Sequence, residues 1–147
     1  MERTKAEFEA RSDSAVRQVA IAEDDDELRS LLATMLRRAG YGVREFSSGS
    51  QLLKSLSGGD KQAALLSDTK LGVDLVISDI RMPGASGLDV LAKLHSAHRP
   101  VPVVLMTAFG DRTTHEQALQ MGAAALIDKP FELDELLSLT DRLLTHH

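Results

Sequence analysis

The chain has 147 residues, 17 Lys and Arg against 22 Asp and Glu, a net charge of −5 and no cysteine. That length suits one domain with a core of its own, and the missing Cys excludes disulfide scaffolds, Cys-built zinc sites and thiol catalysis, as fits a reducing compartment. The acidic balance, one Tyr and no Trp exclude a nucleic-acid surface, which needs basic side chains and stacking aromatics.

The opening Met1–Glu7 mixes charges without an apolar core, so it is not read as a signal peptide. No apolar run approaches the roughly 20 residues of a membrane-spanning helix. A cytoplasmic protein without membrane insertion is expected. Residues 1–15 read as a polar N-terminal extension, followed by one domain over residues 16–145.

Arg17–Ala22 predicts the first strand. In Asp26–Ala39, Leu28, Leu31, Leu32, Met35, Leu36 and Ala39 recur at helical spacing along one face, and Gly40 stops that helix. Tyr41–Phe46 predicts a second strand, and Ser48–Leu56 a short helix capped by Ser47 or Ser48. Residues 58–72 form an insertion where about 2–6 connecting residues are usual. Within it Lys61–Leu66 could add helical turns; the insertion reads either as a tolerated surface extension or as a contact element.

Leu75–Ser78 is a continuous apolar run, as in a strand covered on both faces. Helices follow over Gly87–Ser96, Arg112–Met121 and Glu132–Leu144, with strands at Val101–Met106 and Ala124–Ile127 between them. The last helix is amphipathic through Leu133, Leu136, Leu137 and Leu143. His146 and His147 could be a tag remnant and receive no role. Strands alternating with helices imply an α/β fold, a five-stranded parallel sheet with helices on both faces.

In such a sheet, functional residues gather beyond the carboxyl ends of the strands. Those ends carry Glu23, Asp24 and Asp25, then Asp79, then Thr107, then Lys129. Each has a bland reading alone: a dipole-favoured helix start, a turn residue, a structural Thr, an exposed Lys. Carboxylates, a hydroxyl and an ammonium converging on one rim point instead to a site. The Met82-Pro83-Gly84 turn and Gly87 are expected to supply fixed or positive φ angles beside it.

The segments AEDDDELR, LVISDIRMPGASGLDVL, PVVLMTAFG and GAAALIDKPF are similar to the receiver domain of bacterial two-component response regulators, from about Arg17 to Leu144. The resemblance implies a flavodoxin-like (βα)5 fold. It makes Asp79 the phosphoacceptor, Glu23 and Asp24 the acidic pair, Thr107 the switch hydroxyl and Lys129 the phosphate-contacting lysine, before a cis-proline at Pro130. Close carboxylates repel and call for a proton or a cation, and Mg²⁺ is the natural one. Asp24 and Asp79 would bind it directly, Glu23 through water, and the Arg81 carbonyl, by the resemblance, would complete the protein's share.

The implied function is phosphorelay: a sensor histidine kinase or histidine phosphotransfer protein donates, and the acyl phosphate controls binding of a downstream protein. A homodimer is left open. No enzymatic activity beyond self-phosphorylation and dephosphorylation is expected. His95, His98 and His115 do not read as donors, with His115 on the polar side of its helix.

Three features depart from the pattern. Leu126 stands where an aromatic switch residue is usual, which implies weaker or differently routed coupling. Phe109 is placed to shield the acyl phosphate from water. The 58–72 insertion is the third. Two other classes stay in view: a degenerate receiver acting as a scaffold, and an Mg²⁺-dependent phosphohydrolase. The second is disfavoured because Arg81 stands where such enzymes need a second acid.

Overall fold

The computed structural model describes residues 16–56, 72–82, 84–95, 101–108 and 112–145. The 1–15 extension, the 58–72 insertion as far as residue 71, with the expectation for 61–66, Pro83, His98, Phe109, His146 and His147 lie outside the described residues. In chain order the elements are β1 (Gln18–Ala22), α1 (Asp26–Arg38), β2 (Gly42–Phe46), α2 (Gly49–Leu56) and β3 (Leu75–Asp79). They continue as α3 (Gly87–His95), β4 (Val103–Thr107), α4 (Arg112–Gln120), β5 (Ala125–Asp128) and α5 (Leu133–Thr145).

The strands form one sheet in the order β2-β1-β3-β4-β5, and every pair is parallel. Side chains alternate across a strand, so each central strand feeds two cores. Val19, Ile21, Leu75, Ile77, Val104 and Met106 pack on one face with Leu32 and Leu36 of α1 and Leu136 and Leu144 of α5. Ala20, Ala22, Val76, Val103 and Leu105 pack on the other with Leu52 of α2, Leu91 and Leu94 of α3 and Ala118 of α4. Because all strands run the same way, their carboxyl ends share one edge. Glu23, Asp79, Thr107 and Lys129 stand on it.

Local chemistry sets the helix ends. The Asp25 carboxylate accepts hydrogen bonds from the N–H groups of Glu27 and Leu28, each at 3.0 Å, and so caps α1. Ser48, rather than Ser47, caps α2, its Oγ accepting from the Gln51 N–H at 3.1 Å. Gly40 ends α1 with φ of +101°, where a side chain would be strained.

Two expectations need correction. Leu31 and Ala39 do not join the buried face of α1: Leu31 is 51% exposed and Ala39 is the exposed C-cap. At 3.6 residues per turn, Leu31 lies about 100° round the helix from Leu32, on the flank of the buried stripe. Gly87 does not have positive φ, although Gly84 does, at +77°. Gly87 is needed for close approach, since a methyl there would come within 2.6 Å of the Asp79 carbonyl oxygen and 2.9 Å of Ile80 Cα.

Candidate functional site

Glu23 follows β1 directly and, like Val19 and Ile21, turns inward, where it is wholly buried. A buried carboxylate needs partners for each of its polar atoms. Its Oε1 accepts from Lys129 Nζ at 2.8 Å and its Oε2 from the Asp25 N–H at 3.0 Å. Its own N–H donates to the Phe46 carbonyl at 3.0 Å, and its carbonyl accepts from Arg29 Nη1 at 2.8 Å.

Asp79 ends β3 and is 7% exposed. Its Oδ2 accepts from Lys129 Nζ at 3.1 Å, and its Oδ1 from the Arg81 N–H at 3.3 Å. Asp24 is exposed, and carboxylate oxygens of Glu23, Asp24 and Asp79 all lie within 4.8 Å of one another. Lys129 reaches the cluster from the far end of β5. Its N–H donates to the Thr107 carbonyl at 2.7 Å, and the Lys129–Pro130 peptide is cis, as expected. Thr107 is itself buried at the end of β4.

Burial raises the proton affinity of Glu23, and the charge of Asp79 adds to this; hydrogen bonds from Lys129 and the Asp25 N–H oppose it, and the net direction is up. Burial would lower the Lys129 value, but its hydrogen bonds to Glu23 and Asp79 outweigh that and hold the ammonium above its ordinary range. The cation that close carboxylates call for is thus supplied in part by the chain. Three carboxylates against one ammonium still leave a negative surplus. An all-oxygen donor set with one solvent-facing member suits a hard divalent cation such as Mg²⁺, so the residues present fit the group expected from sequence.

Residues 19–141 match the response regulator receiver domain. The chain belongs to that family. It is 36% identical over 129 residues to the DNA-binding transcriptional regulator NtrC of Salmonella typhimurium, an alignment covering 88% of this chain and 25% of the relative. The chain therefore spans about a quarter of the length of the NtrC relatives it matches. Full-length FixJ from B. japonicum superposes with a TM-score of 0.71 at 30% identity, covering 88% of this chain and 58% of that one. The non-phosphorylated HemR receiver domain from Leptospira biflexa gives 0.69 at 25% identity, covering 88% and 94%.

The receiver domain thus brings Glu23, Asp24, Asp79 and Lys129 into one cluster, with Thr107 one strand away. Arg81 enters through its backbone N–H, while its side chain is exposed. Leu126 is half-buried against the core beneath α2, α3 and α4. His115 does not stay on the polar side of α4: its Nε2 lies 3.0 Å from Asp128 Oδ1, with the side chain 26% exposed.

Sequence reasoning grouped one residue wrongly and missed another. Asp25 is a cap rather than a member of the carboxylate cluster. Arg29, 17% exposed, bonds the Glu23 carbonyl and also Asp26 Oδ1 at 2.5 Å. The three-residue spacing of Asp26 and Arg29 was the available signal. Among the described residues no helix is long and apolar enough to cross a membrane.

Proposed function

We propose that Asp79 is the phosphoacceptor of this receiver domain and that Asp24 and Asp79 hold Mg²⁺ directly. Glu23 contributes through water and Arg81 through its carbonyl. The observation that carries the reading is the Lys129 ammonium lying between Glu23 and Asp79, with the Asp24 carboxylate beside them. Family membership supports the same assignment.

The donor is a phosphohistidine on a sensor kinase or phosphotransfer protein. An Asp79 oxygen attacks phosphorus, the P–O bond forms as the P–N bond breaks, and the electron pair leaves on the imidazole, which takes up a proton. A carboxylate nucleophile on phosphorus needs in-line placement and charge neutralisation rather than a base. Mg²⁺, when bound, would neutralise phosphoryl charge and orient its oxygens. Lys129 offers its ammonium to the transferred group, and the Thr107 hydroxyl offers a hydrogen bond. Glu23, already paired through both oxygens, fixes the direction of Lys129.

Phosphorylation then shifts a two-state equilibrium and alters binding of a downstream protein partner. The domain acts in the cytoplasm, over residues 16–145, and turns over no substrate beyond its own phosphoryl group. The test is incubation with Mg²⁺ and a small acyl-phosphate donor, followed by intact mass over time. A single addition, lost in Asp79→Asn and dependent on Mg²⁺, is expected. Multiple turnover of varied phosphate esters, or no addition at all, would contradict it.

A further inference from the structure

The acidic run Glu23–Asp26 places four consecutive carboxylates at the turn from β1 into α1. Lys129 neutralises only its inner side. Its outer side is met by Arg29, whose guanidinium donates from Nη1 to the Glu23 carbonyl at 2.8 Å and from Nη2 to Asp26 Oδ1 at 2.5 Å. Nε lies 3.8 Å from Glu45 Oε1 on β2, and Glu45 is anchored in turn by Arg37 at 2.9 Å.

The carbonyl that Arg29 holds belongs to the planar peptide joining Glu23 to Asp24. Its orientation governs the angle between an inward Glu23 and an outward Asp24. The Glu23 N–H, which belongs to the preceding peptide, is tied to the Phe46 carbonyl, and Arg29 grips the peptide that follows. A planar fork with five donors can hold a carbonyl and two carboxylates together, which a lysine cannot.

The geometry points to Arg29 as a positioning residue for cation binding, holding the Glu23–Asp24 peptide so that the Asp24 carboxylate faces Asp79. This rests on the reading that the acidic cluster binds Mg²⁺. Arg29 touches neither the cation nor the phosphoryl group; it acts through the backbone. Removing it leaves every carboxylate in place but loosens the direction of Asp24.

The test is titration of the full chain with Mg²⁺ by calorimetry, well below the unfolding temperature of each variant. Arg29→Gln is expected to weaken Mg²⁺ binding about tenfold, as partners that orient metal ligands commonly do. Arg29→Lys, which retains the charge and is the safer variant for folding, falls between. Phosphorylation by a small acyl phosphate slows at low Mg²⁺ but returns to the wild-type rate at saturating Mg²⁺, a split that general structural damage would not give. Wild-type affinity in both variants, or a rate not regained at saturation, overturns the proposal alone. A wild-type protein that binds no better than Asp24→Asn and Asp79→Asn overturns the cation reading, and the role of Arg29 with it.

Discussion

Lys129 donates from one ammonium to the buried Glu23 and to Asp79, so its removal strands a charge with no exposure to water. We expect Lys129→Met to lose about 2–3 kcal/mol in Mg²⁺-free buffer at neutral pH, somewhat less than a fully buried pair because Lys129 keeps 24% exposure. Glu23 can escape that penalty by taking up a proton. A group whose folded proton affinity is raised contributes stability below its unfolded value of 4.5, and loses it as pH rises through the folded value. The gap between variant and wild type should therefore narrow on acidification, by denaturant unfolding across pH; a constant gap would contradict the pairing.

Tyr41, the only Tyr in a chain without Trp, donates to Asp141 on α5. Burial and the neighbouring carboxylate both raise its proton affinity well above the ordinary value of 10.0. The stabilisation is present below pH 10.0 and is lost as pH rises above it. The tyrosinate absorbance band reads this one residue, so its midpoint should lie above 10.0 in the folded protein and fall on adding denaturant. Equal midpoints would show no such contact. Neither effect was legible in sequence, because the partners lie 106 and 100 residues apart. The charged residues themselves were legible, because strand ends in a parallel sheet announce their shared edge.

At the scale of elements, α3 starts against the end of β3, which carries Asp79. Gly87 has no room for a methyl beside the Asp79 carbonyl and Ile80. Gly87→Ala is expected to cost about 1–3 kcal/mol, as overpacking does, and to slow phosphorylation because the strain falls on Asp79. Unchanged stability by thermal unfolding would contradict this. The sequence marked Gly87 as special but misassigned the cause, since spacing carries no information on how closely another backbone approaches.

α4 is held lightly, with Ala118 its buried residue and Leu119 57% exposed. Beneath it Leu126 packs against the core where an aromatic ring is usual in the family. Leu126→Tyr should enlarge the phosphorylation-induced amide shifts over α4 and β5, measured by NMR with and without phosphorylation. Equal shifts in the two proteins would contradict the view that the missing ring weakens coupling. The helix-face assignment of Leu31 failed for a related reason: a stripe read at 3.6-residue spacing has edges, and only packing decides which flank is covered.

At the scale of the molecule, two apolar layers on a parallel sheet place one carboxylate, one hydroxyl and one ammonium at successive strand ends. The continuous apolar run Leu75–Ser78, the helical spacing of the leucines and the Gly40 stop made that architecture legible from residues alone, including the cover on both faces of β3. The strand order could not be read so directly, because it depends on which faces the crossover helices cover. On our proposal, this edge makes Asp79 the phosphoryl acceptor. Borohydride reduction of the protein after Mg²⁺-dependent phosphorylation converts a phosphorylated aspartate, an acyl phosphate, to homoserine with loss of phosphate, and peptide mass mapping locates it. Homoserine is expected at position 79 alone; a reduced side chain at another carboxylate, or at none, would contradict the assignment.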